Sequence, residues 1–259
     1  IDEDGLYTNL GLLLSEQCPH TIKAAVFEGS TKEIFKDRFE FSGSLLKQMK
    51  DVYSFLNRYN RTNSEITGLK RTDTREYPEI AIREALLNSI VHKEYSYSSS
   101  TLISVFDDKI EIATIGGLTK GLNEDDIMLG VSILRNRNLA NIFYRLKLIE
   151  AYGTGIPKII ESYNEYNVKP KIEISSNAFK ITLPNTLKEK SISKLEKNLS
   201  DKEYLIVNML KENEYIKRTD IEKNLSISSS MAIKLLRNMV DNSIIEKLGK
   251  GKNVIYRLK

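Results

Sequence analysis

Seven residues, Arg83-Glu84-Ala85-Leu86-Leu87-Asn88-Ser89, hold the pattern in this chain best suited to chemistry. Glu84 and Asn88 stand four apart on a helix predicted from Pro78 to Lys93, so both project from one face. An amide there can hold a hydrated Mg²⁺ on a triphosphate, and the carboxylate can orient a water. The same spacing also describes an ordinary amphipathic helix with two exposed polar residues, and the following residues decide between the two.

Two glycine pairs follow. Lys109 to Thr114 reads as the second strand of a hairpin turning at Asp107-Asp108, and Gly116-Gly117 ends it. Gly153-Thr154-Gly155 precedes a helix opened by Pro157 in its first turn. Each pair also reads as plain turn chemistry. Arg135 and Arg137 flank Asn136 in a basic loop that could pair with phosphate or with Glu150. His92, two turns after Glu84, reads as a hydrogen-bonded histidine rather than a catalyst. Cys18 reads as a small buried apolar side chain.

The remaining elements must position these residues. A short helix is expected from Leu6 to Ser15, and strands at Ile22–Glu28 and Asp37–Phe41. Ser44 can cap a helix running to Tyr59, whose apolar positions follow the helical period. Thr62–Arg75 reads as a polar hairpin. Helices are expected at Asn138–Leu148 and Ile156–Tyr166, and a closing hairpin at Lys171–Ser175 with Ala178–Leu183.

Composition narrows the class. The chain has 259 residues, enough for roughly two domains. No apolar run approaches the ~20 residues of a membrane span, and no secretory signal pattern is present. One cysteine and two histidines leave no internal disulfide and make a zinc site a poor reading. These features suit a bacterial cytoplasmic protein. The chain opens on Ile1 rather than Met and is read as a fragment lacking an N-terminal partner domain.

The net charge of +4 is unevenly placed: residues 201–259 carry 12 Lys/Arg against 8 Asp/Glu, and residues 224–259 carry 7 against 2. A local anion-binding surface is expected there. Three helices are read in this region, opened at Asp201, Arg218 and Ser228 or Ser229. Two strands follow, Ile244–Leu248 and Val254–Leu258, joined by a glycine-lysine turn. This order matches a winged helix-turn-helix. Ser228, Ser229 and Ser230 offer small polar groups to a major groove, with Lys234 and Arg237 beyond. Lys250 and Lys252 could reach the phosphate backbone. A winged helix used only for protein contact fits the same pattern.

The ordered series of motifs resembles the GHKL ATPase superfamily, and more narrowly the RecG-like C-terminal domain of Schlafen/AlbA-containing bacterial transcriptional regulators. The resembling stretches are Glu76–Tyr95, Ile110–Leu122 and Leu134–Ile159. The resemblance implies a GHKL-like (Bergerat-type) α+β sandwich with a mixed or antiparallel sheet. It implies Glu84 as catalytic carboxylate and Asn88 as Mg²⁺ holder through the nucleotide. Thr114, Gly116, Gly117, Gly153, Thr154 and Gly155 would then line the ATP site. Thr114 stands where that superfamily has an adenine-binding Asp, and Leu118 where it has a glycine. Both departures imply weakened ATP recognition.

The expected organisation is therefore a joining segment at 1–75, a GHKL-like domain at 76–186, a linker at 187–200 and a winged helix at 201–259. The favoured function is a DNA-binding transcriptional regulator, most simply a homodimer on double-stranded DNA, with a degenerate ATP-type sensor or dimerisation domain. An active Mg²⁺-dependent ATPase and an assembly module without nucleotide are the alternatives.

Overall fold

The structure, a computed structural model, describes residues 5–150, 153–187, 199–213, 215–242, 244–249, 251 and 254–258. Contacts divide the chain into two compact units, Ile1–Glu189 and Lys190–Lys259.

The first unit is built on one six-stranded sheet. Its strands are β1 (Ile22–Phe27), β2 (Phe35–Phe41), β5 (Thr101–Val105), β6 (Lys109–Ile115), β7 (Lys171–Ile174) and β8 (Ala178–Pro184). They lie in the order β2-β1-β5-β6-β8-β7. Only β1 and β5 run parallel; every other pair is antiparallel. The sheet therefore runs across the boundary at residue 75 drawn from the sequence. Burial alternates along β6, with Ile110, Ile112 and Thr114 buried. The intervening positions form a polar face, on which Lys32 and Lys109 flank Glu111, and Lys171 and Lys180 flank Glu173.

Helices cover the buried face. α2 (Leu45–Tyr59) starts at Ser44, whose Oγ accepts from Lys47 N, and buries Leu45, Met49, Val52, Phe55 and Leu56. α3 (Glu79–Val91) packs on α2, β6 and β8, and on α6 (Gly155–Glu161). α5 (Arg137–Arg145) buries Leu139, Ala140 and Phe143. Together they enclose one continuous apolar core, which supplies the main stabilisation. The hairpin of β3 (Thr62–Thr67) and β4 (Lys70–Arg75) forms a separate two-stranded sheet.

Several boundaries differ from the sequence reading. α1 covers only Asn9–Leu13, because Thr8 Oγ1 caps it by accepting from Gly11 N at 3.2 Å, leaving Leu6 and Tyr7 outside. α6 stops at Glu161, five residues short of Tyr166. A helix that the sequence reading passed over, α4 (Glu124–Met128), is closed by reciprocal Asn123–Asp126 bonds of 2.9 Å each.

The second unit contains α7 (Asp201–Glu212), α8 (Arg218–Leu225), α9 (Ser229–Asp241) and the antiparallel pair β9 (Ile245–Leu248) and β10 (Ile255–Leu258). Ser200, not Asp201, is the N-cap of α7; its N–H donates to Glu203 Oε2 at 2.9 Å. Glu203 also accepts from Asn238 of α9 at 3.0 Å, joining the two helices. Ile206, Val207, Leu210, Ile221, Ala232, Leu236 and Met239 form its core. Ile216 makes an isolated bridge to Tyr256, a pairing that the sequence did not announce. Lys250, Lys252 and most of the linker at 187–200 lie outside the described residues.

Candidate functional site

α3 is apolar nearly all round: Ala81, Ile82, Ala85, Leu86, Leu87, Ile90 and Val91 are buried. A carboxylate on such a helix is costly unless it is paired or opens onto a cavity. Glu84 is 8% exposed and lies in the wall of a cavity of about 430 Å³. The neighbouring Arg83 guanidinium pairs with Glu84 Oε1 and donates to Leu148 O at 2.6 Å. Burial raises the Glu84 pKa above the usual carboxylate range, while the charges of Arg83 and Lys158 pull it down.

Asn88 lines the same wall, one turn on. Its Nδ2 donates to Glu84 O at 2.8 Å, so Oδ1 is the atom that it can offer a hard cation. Gly155 stands against both residues. A Cβ added there would meet Asn88 Nδ2 at 2.7 Å and Glu84 Oε2 at 3.3 Å. A side chain at 155 would therefore crowd the two groups that the sequence singled out.

Gly116, Gly117, Gly153 and Thr154 line the cavity too, but the first three glycines answer to packing. Gly116, at φ +113°, would bring a Cβ to 3.1 Å from Glu94 N. A Cβ on Gly117 would overlap the carbonyls of Ser175 and Ser176, and one on Gly153 would overlap Gly130 O. The Gly130–Gly153 approach brings the segment after α4 against the segment before α6. Ile127, Gly130, Val131 and Ile133 thereby become part of the wall.

Thr114 is buried at the end of β6, with its Oγ1 3.3 Å from Thr101 Oγ1. Of this pair, Thr114 lines the cavity. His92 lines the cavity at the C-terminal end of α3. Burial first, and the charge of Arg135 second, lower its pKa and favour the neutral imidazole. Arg135 does not reach Glu150, one of the partners considered from sequence. It binds Glu94 Oε2 and Gly117 O, both at 2.7 Å. Asn136 Nδ2 donates to Val91 O at 2.9 Å and Lys93 O at 2.7 Å. The 135–136 loop thereby ties the end of α3 to the turn after β6. Glu150 instead accepts from Lys158 Nζ at 2.6 Å and Thr154 Oγ1 at 3.1 Å. That pair is eight residues apart, a spacing with no helical or strand signature.

The second group of sequence-selected residues lies in the other unit. Ser228 is the N-cap of α9, its Oγ accepting from Met231 N at 3.4 Å and lying 3.0 Å from Ser230 Oγ. Ser229, Ser230, Lys234 and Arg237 are exposed on that helix.

Residues 99–183 match the family model described as "Putative ATP-dependent DNA helicase recG C-terminal". That span holds Thr114 and the four glycines but begins after α3, so Glu84 and Asn88 lie outside it. No curated protein matches the chain. Among solved structures, the chain is similar to the DIP2311 protein from Corynebacterium diphtheriae, with 19% identity and a TM-score of 0.64. The match covers 100% of this chain and 55% of that one, so the chain spans about half of that protein's length. At this identity the likeness is one of fold. The resemblance to a RecG-like, ATPase-type domain is borne out over residues 99–183, the half of the cavity unit that carries the glycines.

Proposed function

We propose that the first unit binds a purine nucleoside triphosphate with Mg²⁺ and that the second binds duplex DNA, making the chain a nucleotide-responsive transcriptional regulator. One observation carries the nucleotide half: Glu84, Asn88 and Gly155 meet in one cavity with Thr114 and the remaining glycines. The donor set fits the cation, with an amide oxygen and a carboxylate for a hard metal that keeps most of its waters. Mg²⁺ would neutralise phosphate charge there, and Asn88 would hold it through the nucleotide.

Affinity is expected to be modest. Thr114 offers a hydroxyl where an ionised acceptor would bind an exocyclic amine more strongly. The difference of about 1.5–3 kcal/mol is roughly ten- to a hundred-fold in affinity. Such a site suits a sensor, and homodimerisation on DNA is the simplest use of it. The DNA half rests on the exposed Ser229, Ser230, Lys234 and Arg237 of α9, and on the basic surplus of residues 224–259. The three helices and β9–β10 are read as a winged helix. Calorimetric titration with MgATP tests the first half, and a salt series of duplex binding tests the second.

A hydrolytic reading is favoured by one feature. Glu84 is a carboxylate with a raised pKa beside Asn88, as a water-activating base requires. Its pairing with Arg83 opposes that role until the guanidinium moves. Mg²⁺-dependent phosphate release, lost in both Glu84→Ala and Asn88→Ala, would establish turnover; background release in all three proteins would exclude it.

A further inference from the structure

Among the described residues, the cavity wall contains two carboxylates, Glu84 and Glu150, and a single Lys or Arg side chain, Lys158. Lys158 Nζ and Thr154 Oγ1 both donate to one atom, Glu150 Oε2, at 2.6 and 3.1 Å. An oxygen anion held by an ammonium and a hydroxyl is the contact that a terminal phosphate oxygen makes. The two sides of this pair are unequal. Lys158 sits on α6, between the buried Ile156 and Ile159, and its side chain is 27% exposed. The Glu150 side chain is 58% exposed on the preceding loop, so its departure into water costs little. The Lys158 charge also acts on Glu84, so it sits within electrostatic reach of the Glu84–Asn88 pair.

We propose that Lys158 and Thr154 form the seat of the outermost phosphate, and that Glu150 fills this seat as an internal anion until the nucleotide displaces it. This deepens the nucleotide-binding reading and rests on it. Displacement removes one negative charge from a wall that otherwise repels a polyanion. It also links the number of phosphates on the ligand to the position of the Glu150 side chain. The site would then read phosphate count, with the base a weaker determinant.

The test titrates wild type, Lys158→Ala and Glu150→Gln with MgATP, MgADP and adenosine by calorimetry, with thermal melts as the control for folding. Lys158→Ala is expected to weaken MgATP roughly tenfold or more, MgADP less, and adenosine not at all. Glu150→Gln, which cannot compete as an anion, is expected to tighten MgATP several-fold while leaving adenosine unchanged. Equal weakening of all three ligands in Lys158→Ala would overturn the seat alone, as would Glu150→Gln binding MgATP like wild type or more weakly. Absence of binding by any protein to any ligand would overturn the nucleotide reading and the seat together.

Discussion

Helix α3 is buried along nearly its whole length and places Glu84, at 8% exposure, in a cavity wall. Helix α9 buries Ala232, Leu236 and Met239 and turns Ser229, Ser230, Lys234 and Arg237 to solvent. The polarity of α3 is expensive, since a buried carboxylate loses hydration that its neighbours must replace. The polarity of α9 costs almost nothing, since any amphipathic helix has such a face. A polar pair on the first helix is therefore informative by itself. The same residue types on the second gain meaning only from the charge surplus around them.

The most severe break of the comparison is steric. Gly155→Val puts branched carbons into the space against Asn88 Nδ2 and Glu84 Oε2. MgATP binding should fall by about a hundredfold or more, since both polar contacts are displaced together. An unaltered far-UV circular dichroism spectrum would show that the fold is kept. Wild-type affinity in this variant would remove Gly155 from the site.

Next comes the electrostatic cost of burial in the same unit, just beyond α3. Lys93 is 2% exposed, and burial lowers its pKa from 10.5 to about 8. Between about pH 8 and 10.5 the unfolded chain binds more protons here than the folded one, so this group adds stability as pH rises. The stability of Lys93→Met relative to wild type should therefore be greater at pH 7 than at pH 10, by on the order of 2–3 kcal/mol. Burial raises the Cys18 thiol pKa and the Lys93 charge lowers it, so the two groups are coupled, and both proteins are compared in a Cys18→Ala background. Urea denaturation of both proteins at pH 7 and pH 10 measures the effect. A pH-independent difference would mean that folding leaves the Lys93 pKa unchanged.

The exposed helix gives smaller and purely electrostatic effects. Ser229→Glu or Ser230→Glu should weaken duplex binding about tenfold, since each sets a carboxylate against phosphates, and should leave the melting temperature unchanged. Binding unchanged in both variants would take α9 out of the groove. Lys250→Ala with Lys252→Ala should reduce the dependence of log affinity on log salt by about two. An unchanged slope would mean that this turn does not touch DNA.

Much of the sheet was legible because alternation is strict: Ile110, Ile112 and Thr114 point one way on β6, and Ile181 and Leu183 pair with Ile112 and Ile110 on β8. α2 was legible through its cap and its period. α4 was not, because five residues with one buried apolar side chain, Ile127, make no periodic signal. Its Asn123–Asp126 capping pair was the available clue. In the site, the four-residue spacing of Glu84 and Asn88 showed in the chain because one helix carries both. The Glu150–Lys158 pair and the Thr101–Thr114 hydroxyls are made by tertiary contact alone, and so is the Arg135–Glu94 clamp. Sequence offered the same two causes, turn chemistry or a nucleotide loop, for all four glycines, whereas backbone packing accounts for Gly116, Gly117 and Gly153, and only Gly155 stands against the polar pair.

The measurement closest to the central claim is calorimetric titration of wild type and Asn88→Ala with ATP, each with and without Mg²⁺. The cavity as described predicts Mg²⁺-dependent binding by wild type and at least a tenfold loss in Asn88→Ala, with little further effect of removing Mg²⁺ from the variant. Equal affinity in wild type and variant, or wild-type binding indifferent to Mg²⁺, would contradict a metal–nucleotide site at the α3–α6 contact.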